Sequence, residues 1–339
     1  MNPFDEKLRS WISENLNISK DFNYEQFKVG RSNLTYKIYD NNNTYVLRRP
    51  PLGPKLQSAH DMEREHRIIQ NLYKCGYRVP EPKLLCNDRD ITEENFYIME
   101  YIDGLTIATI EDSMPLTNEI KKIISEDYMN TICELHNIEI QNSGLSDLGK
   151  HNNYIERQLN RWLKQWNSQK TREIVDLEKS TKRLLNSIPE QQRTTIVHGD
   201  YRLDNVKVGV DGTILAVLDW ELCTLGDPLA DLGTIIASWV SKDEIESPFT
   251  YSPNKTGGYL ERDILLNIYE EKTSLNLQKI EYYTRFSYWK HAMIMEGVFV
   301  RYSSGAYGNV DKEIIDLFGK SALSFASYSN KENLLKELL

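Results

Sequence analysis

The chain has 339 residues, of which 40% are hydrophobic and 27% charged, and its formal net charge at pH 7 is −9. This composition is typical of a globular protein with one large domain or two smaller ones. Nucleic-acid binding and binding to anionic membranes both need clustered positive charge, so the acidic balance argues against these two partners.

The N-terminal segment MNPFDEKLRSWISENL is amphipathic and acidic, and it lacks the apolar run of a signal peptide. No apolar run approaches the roughly 18 residues that a membrane helix needs. The four cysteines form no CxxC pair, which favours reduced thiols, and the six scattered histidines disfavour a zinc site. We therefore expect a soluble cytoplasmic protein without a membrane partner, as a monomer or homodimer.

The first hundred residues are rich in β-prone segments. FNYEQFKVG, LTYKIYD and YVLRRP are short and contain many aromatic and branched residues, and NNNT separates the second from the third. Because Asn tolerates the left-handed conformation that turns require, NNNT predicts a turn. Together these segments predict a three-stranded antiparallel meander.

The segment SAHDMEREHRIIQNLYKCG predicts a helix, with Ser58 as its N-cap and Gly76 as its stop. Glu65 lies on the same face as Met62 and Ile69, since it is three residues after one and four before the other. An unpaired carboxylate is costly to bury, so Glu65 either has a cationic partner or lies at the edge of the apolar stripe.

Further along, PKLLCND and FYIMEYI predict two more strands, and Asp103-Gly104 then interrupts the pattern. From about residue 115 the chain is mostly helical, apart from the β-prone segments TTIVH, NVKVGV and TILAVLD. We predict an α+β fold with two lobes. The N-terminal lobe, residues 1–103, would hold a small antiparallel sheet, and the larger C-terminal lobe, residues 104–339, would be mainly helical.

Residues 196–221 read IVHGDYRLDNVKVGVDGTILAVLDWE and carry the strongest chemical pattern. Asp211-Gly212 predicts a hairpin turn, which would bring Asn205 at the start of one strand beside Asp219 at the end of the next. Asp200 reaches the same place through a tight loop. Two carboxylates and one amide oxygen are hard ligands that suit Mg²⁺ together with substrate phosphates.

The spacing HGDxxxxN followed by DWE resembles the catalytic loop and magnesium-binding Asp of protein kinases. With VGRSNLTYKI, YVLRRPPLGPKLQSAHDMEREHRII, FYIMEYIDG, DWELCTLGDPLADLG and KHAMIMEGVFVRY, it is similar to the aminoglycoside phosphotransferase/choline kinase superfamily. Within that superfamily the chain most resembles the kinase-like subgroup related to domains fused to acyl-CoA dehydrogenases. The resemblance covers roughly residues 20–305 and implies a protein-kinase-like fold.

The resemblance implies roles for the loop residues. Asp200 would accept or orient the proton of the acceptor hydroxyl, and Asn205 and Asp219 would hold Mg²⁺. Arg202 would contact a phosphate or an acidic substrate, or it could be an ordinary surface arginine. Glu221 stays open between a supporting role and simple exposure.

The same resemblance implies a nucleotide site in the N-terminal lobe. The phosphate-covering segment would include Gly30, Ser32 and Asn33, although a kinase loop has more glycines. Adenine would meet the backbone near Glu100 and Ile102.

The sequence VLRR stands where a protein kinase has VAIK. Arg48 would take the place of the kinase lysine and pair with Glu65, and Arg49 would replace it if the strand register differs by one.

These features predict an ATP- and Mg²⁺-dependent kinase that phosphorylates a hydroxyl of a small molecule. The resemblance favours a metabolite, for example a hydroxyacyl thioester, over an aminoglycoside. Two alternatives are a nucleotide-binding pseudokinase that acts as a binding module and a metal-dependent phosphohydrolase. Candidates for the acceptor site, by position alone, are Tyr259, Tyr288, Trp289, Glu296 and Arg301.

Overall fold

The computed structural model describes residues 3–27, 33–51, 61–305 and 310–339. The N-terminal part contains a five-stranded antiparallel sheet in the order β1-β2-β3-β5-β4. Its strands are β1 (Asn23–Gln26), β2 (Leu34–Tyr39), β3 (Thr44–Arg49), β4 (Pro82–Cys86) and β5 (Phe96–Glu100). The predicted meander and the two later strands are therefore confirmed.

Each face of this sheet is covered by one helix. Helix α1 (Glu6–Asn15) packs on the outer face, where Leu47 of β3 is fully buried. Helix α2 (Met62–Lys74) packs on the inner face, where Val46, the residue before Leu47, is buried. Because successive side chains of a strand point to opposite faces, Arg48 lies on the α2 face and Arg49 on the α1 face.

Helix α2 begins one turn later than the sequence predicts. Its N-cap is Asp61, whose Oδ1 accepts a hydrogen bond from the backbone amide of Arg64 at 2.9 Å. The proposed N-cap Ser58 lies outside the described residues. The predicted stop is present, since Gly76 follows the helix with a left-handed φ of +75°.

The C-terminal part is mainly helical. Its helices are α3 (Ile110–Ser113), α4 (Asn118–His136), α5 (Tyr154–Gln169), α6 (Val175–Asn186), α7 (Leu229–Ser238), α8 (Arg262–Thr273), α9 (Ile280–Ser303), α10 (Lys312–Asn330) and α11 (Leu334–Leu338). Its strands are β6 (Thr195–Val197), β7 (Val206–Val208), β8 (Ile214–Val217) and β9 (Thr224–Gly226). The α+β fold class is thus confirmed. Within the described ranges, no helix is both long and apolar enough to cross a membrane.

The four short strands form two antiparallel pairs. Strands β7 and β8 make the predicted hairpin, with Val206 opposite Val217 and a left-handed Gly212, φ +90°, in the turn. Strands β6 and β9 pair through residues 195–197 and 224–226, and β9 was not predicted from the sequence. These two pairs place residues 198–205 and 218–223 at one edge, facing the N-terminal sheet.

The two parts meet first at residues 77–79, which follow α2. Tyr77 and Val79 are buried in the core that continues into the helical part. The backbone carbonyl of Arg78 accepts from the amide of Val217 at 2.8 Å, and its guanidinium donates to the carbonyl of Ile214 at 3.1 Å. We call residues 77–79 the α2–β4 anchor.

The second meeting point is the linker after β5. Leu105 and Val208 exchange two backbone hydrogen bonds of 2.7 and 3.0 Å. The ammonium of Lys207 donates to the carbonyl of Gly104 at 3.1 Å and to the hydroxyl of Thr106 at 2.9 Å. Lys207 therefore fixes the linker to the hairpin. We call residues 104–106 the linker anchor.

Candidate active site

The loop after β6, residues 198–205, is fixed to helix α7 by one carboxylate. Asp231 of α7 is fully buried, and its two oxygens accept from the backbone amides of His198 at 2.7 Å and Gly199 at 2.8 Å. His136 of α4 contacts the same carboxylate at 3.2 Å. Burial alone would raise the pKa of Asp231, but these contacts lower it, so the loop rests on an ionised anchor.

His198 stabilises the loop through both ring nitrogens. Nε2 lies 2.9 Å from the carbonyl of Leu218, which can only accept, so Nε2 carries the proton. Nδ1 then accepts from the backbone amide of Asp200 at 3.2 Å. This arrangement gives His198 a positioning role between the loop and the end of β8.

Asp200 faces two cations. Nε of Arg202 lies 3.1 Å from its Oδ1, and the ammonium of Lys290 donates to the carbonyl of Gly199 at 2.8 Å. Burial raises the pKa of Asp200, but Arg202, Lys290 and nearby histidines more than offset this and lower it to about 2. Asp200 is therefore ionised at neutral pH and available to accept a hydrogen bond from a hydroxyl.

Sequence reasoning missed Lys290 and the adjacent His291. Both lie on α9, about 90 residues after the loop, and the flanking sequence is typical of a helix in a protein core. Burial lowers the pKa of His291 to about 4, with Lys290 adding to the effect, so its ring is neutral at pH 7. The only available hint was the position of KHAMIMEGVFVRY in the family resemblance.

Asn205 and Asp219 lie side by side, as the hairpin predicted. The amide of Leu218 donates to the carbonyl of Asn205 at 2.8 Å. The side-chain nitrogen of Asn205 donates to Asp200, to its carbonyl at 2.8 Å and its carboxylate at 3.2 Å, so Oδ1 is the atom of this side chain that could ligate a metal. Asp219 has a left-handed φ of +63°, uncommon for a residue other than glycine, and its side chain is about one-third exposed. One amide oxygen and one accessible carboxylate fit Mg²⁺, which takes few protein ligands besides phosphates.

Arg48 joins the N-terminal sheet to this loop through three carboxylates. Its Nε lies 3.2 Å from the Glu65 carboxylate. One of its terminal nitrogens, Nη2, lies 2.6 Å from Asp219 and 3.7 Å from Glu221. Glu65 is 2% exposed, so burial raises its pKa and Arg48 opposes that rise. Glu65, on the inner face of α2, therefore has Arg48 as its cationic partner, as predicted from the sequence. Arg49 lies on the other face, 3.4 Å from the carbonyl of Pro3.

Of the remaining predicted nucleotide residues, Asn33, Glu100 and Ile102 lie within the described ranges. Asn33 donates to the Glu221 carboxylate at 3.2 Å. Glu100 ends β5, and its carboxylate accepts from the amide of Glu81 at 3.1 Å, while the half-buried Ile102 opens the linker. Gly30 and Ser32 lie outside the described residues.

The acceptor candidates named by position divide between core and surface. Tyr288 and Trp289 are fully buried, and they donate to the carbonyl of Ala237 and the hydroxyl of Thr181. Glu296 is 1% exposed and forms a bidentate ion pair with Arg172. These side chains already have protein partners, so they do not form an acceptor wall.

Tyr259 is also buried, and its hydroxyl contacts that of Ser113 at 2.8 Å. Arg301 is half-buried near the end of α9. Of the five candidates, only Arg301 keeps a partly accessible polar group.

Comparison with known proteins places this geometry in context. The model of the family described as "Phosphotransferase enzyme family" matches residues 23–247. Acyl-CoA dehydrogenase family member 10 of Mus musculus is 35% identical over 83% of this chain, and acyl-CoA dehydrogenase family member 11 of Gallus gallus is 30% identical over 87%. The chain spans only 26% and 38% of the length of these two relatives.

Solved structures share the fold. A structure from Ralstonia eutropha, titled as a candidate aminoglycoside phosphotransferase, has 30% identity and a TM-score of 0.77, and the match covers 97% of this chain and all of that one. The ADP-bound aminoglycoside phosphotransferase APH(2'')-Ib has 18% identity and a TM-score of 0.60 over 97% of this chain and all of its own. The kinase-like, two-lobed fold is thereby confirmed.

Proposed function

This chain belongs to the phosphotransferase enzyme family, and on that premise we propose that it transfers the γ-phosphate of ATP, with Mg²⁺, to a hydroxyl group of a small metabolite. The observation that carries the proposal is the meeting of Asp200, Asn205 and Asp219 at one edge, beneath Arg48. Positioning and charge stabilisation supply most of the catalysis in phosphoryl transfer, and these side chains offer both.

In this proposal Asp200 orients the acceptor hydroxyl. Its ionised carboxylate accepts the hydroxyl hydrogen bond and takes the proton as transfer proceeds. Arg202, whose Nε lies 3.1 Å from the Asp200 carboxylate, would contact the phosphate being transferred. Asn205 and Asp219 would hold Mg²⁺, which when bound neutralises charge on the nucleotide phosphates.

We propose that the nucleotide lies between residues 1–103 and 104–339. Arg48 would bind its phosphates, with Glu65 fixing the guanidinium. Backbone groups near Gly30, Ser32 and Asn33 would cover the phosphates. The backbone at Glu100 and Ile102 would meet adenine. The ADP bound to APH(2'')-Ib supports this choice of nucleotide.

For the acceptor we propose a metabolite, for example a hydroxyacyl thioester, in preference to an aminoglycoside. The two curated relatives carry the name of acyl-CoA dehydrogenases, which act on acyl thioesters, and this supports the choice. Because the chain spans a minor part of those relatives, the acceptor is a proposal about this domain alone.

The test is ADP release from Mg·ATP, screened against hydroxyacyl-CoAs, amino alcohols, sugars and aminoglycosides. We expect stimulation by one class of acceptor and its loss in Asp200→Asn. Asp316→Asn, on the exposed face of α10, is the matched control and should be fully active. Stimulation that survives in Asp200→Asn, or the absence of any Mg·ATP binding, would refute the proposal.

A further inference from the structure

A cavity lies beside the chain that leads through β6 into the catalytic loop, residues 198–205. Its volume is about 260 Å³, and its walls are the end of α4, the residues that follow it, and the chain entering β6. This is slightly below the ~300–1,000 Å³ of typical ligand sites, so it suits a small molecule. Within the described ranges, none of the nucleotide and acceptor residues named above lines it.

Two polar atoms of the residues that line the cavity have no hydrogen-bond partner in the described part of the chain. Thr195 is 1% exposed, and its hydroxyl has no hydrogen-bond partner among the described residues. The buried Nε of Arg193 is likewise unpartnered there. Both atoms have almost no accessible surface, so a ligand meets them only when the two side chains turn toward the cavity. The desolvation cost of a buried donor without an acceptor favours that turn when an acceptor is bound.

The charge of Arg193 selects the kind of acceptor. In the described part of the chain, a terminal nitrogen of Arg193 donates to the neutral amide oxygen of Asn137 at 3.3 Å. The acid of the cavity wall, Glu139, accepts instead from the amide nitrogen of Asn142 at 2.8 Å. A guanidinium with a neutral partner and an adjacent hydroxyl matches the oxygens of a carboxylate or phosphate.

The cavity is connected to the catalytic loop by two short routes. Thr195 opens β6, and this three-residue strand leads directly into His198. His136, in the cavity wall, contacts Asp231, whose carboxylate binds the amides of His198 and Gly199. A ligand on Thr195 would therefore act on the strand and the anchor that position Asp200.

We propose that this cavity, the posterior site lined by Arg193 and Thr195, binds a small oxyanion and thereby stabilises the catalytic loop. The ligand carries a carboxylate or a phosphate group. The site is separate from the phosphotransfer centre, so its binding test holds whatever acceptor the domain uses.

Binding is tested with the full chain saturated with Mg·ADP, which fills the proposed nucleotide site. Sodium phosphate and, separately, sodium malonate are titrated at constant ionic strength while the melting temperature is recorded. We expect a saturable rise with at least one anion, and the effective one identifies the ligand as phosphate-like or carboxylate-like. The apparent Kd should weaken at least tenfold in Arg193→Gln and in the nearly isosteric Thr195→Val.

Two controls make the result specific. Arg89→Gln removes an exposed arginine of the small lobe and should leave the titration unchanged. Thr195→Ser keeps the hydroxyl and should bind within about threefold of the wild type. No saturable response to either anion, or an equal response in Arg193→Gln and Thr195→Val, would overturn the site.

Coupling is tested by hydrogen exchange of the peptide covering residues 195–201. The effective anion should slow exchange of the His198 and Gly199 amides in the wild type and leave it unchanged in Thr195→Val. Unaltered exchange in the wild type at saturation would overturn the link to the catalytic loop.

Discussion

Replacing Arg48 with lysine tests the centre of the candidate site. The guanidinium of Arg48 spans two directions, with Nε 3.2 Å from Glu65 and a terminal nitrogen 2.6 Å from Asp219. A lysine ammonium is a single point of charge and can reach only one of these carboxylates. Arg48→Lys therefore keeps the charge but loses one arm of the bridge.

The expected loss follows from that geometry. A hydrogen bond to a charged group contributes about 1.5–3 kcal/mol to stability, so Arg48→Lys should be less stable by roughly that amount. At about 2–4 °C per kcal/mol for a domain of this class, the melting temperature should fall by about 3–12 °C. Affinity for Mg·ATP should fall about tenfold or less, because the positive charge remains. Arg48→Met, which loses the charge, should weaken it by about 100-fold.

Arg49 supplies the matched control, since it is the next residue of the same strand and faces the other side of the sheet. Its contact with the carbonyl of Pro3 is long, at 3.4 Å. Arg49→Lys should therefore cost under about 1 kcal/mol and leave nucleotide affinity unchanged. Thermal unfolding and calorimetric titration with Mg·ATP measure both quantities. Equal nucleotide affinities for Arg48→Met and wild type, or equal losses in the Arg48 and Arg49 variants, would refute the reasoning.

Three further predictions follow from the loop and its supports. Because the pKa of Asp200 is about 2, the rate should not fall through protonation of this group at any pH above about 4. Lys290→Met removes a neighbouring cation and should move this acidic fall in rate to higher pH. Identical pH–rate profiles for the variant and the wild type would contradict this account. Burial raises the pKa of Asp227 from 3.8 to about 6, so its contribution to stability is present below pH 3.8 and is lost as pH rises through 6. Asp227→Asn removes this titration, so its stability relative to wild type should rise by up to about 3 kcal/mol between pH 4 and pH 7.5 in urea titrations. A difference that does not change with pH would exclude this cause. Gly199→Ala and Gly76→Ala both force alanine into a left-handed conformation and should each cost about 1–2 kcal/mol of stability. Only Gly199→Ala should also lose activity, because its added Cβ would lie 2.9 Å from the carbonyl of Leu222, whereas at Gly76 no atom of the described residues lies within 4 Å. Loss of activity in both variants would point to global destabilisation instead.

Much of the N-terminal sheet and of the loop could be predicted because their determinants are local. The alternation of Val46 and Leu47 between two cores sets the direction of Arg48. The Asp211-Gly212 turn sets the register that brings Asn205 to Asp219. The alternation of side chains along a strand is enough to predict the first feature, and a single turn motif is enough to predict the second.

The parts that escaped prediction depend on contacts between distant segments. Lys290 reaches the catalytic loop only because α9 packs beside α7, and nothing in its own helix distinguishes it from a surface lysine. Glu221 was ambiguous in the sequence because its partners, Arg48 and Asn33, come from the other lobe. Strand β9 is three residues long and exists through its pairing with β6, so it has no periodicity of its own to detect.

The two anchors between the lobes have a mechanical consequence. The α2–β4 anchor is buried and tied to β8 by backbone hydrogen bonding, and the linker anchor is tied to β7 in the same way. Helix α2 makes further contacts with the C-terminal part, for example from Arg64 to the carbonyl of Cys223 at 2.6 Å, but these are made by side chains. Because side chains adjust more readily than backbone pairs, the softest relative movement of the sheet should be a rotation about the axis that joins the two backbone anchors. Arg48 and Asp219 approach each other across the cleft through side chains alone, so this rotation would change their separation while leaving the catalytic loop rigid.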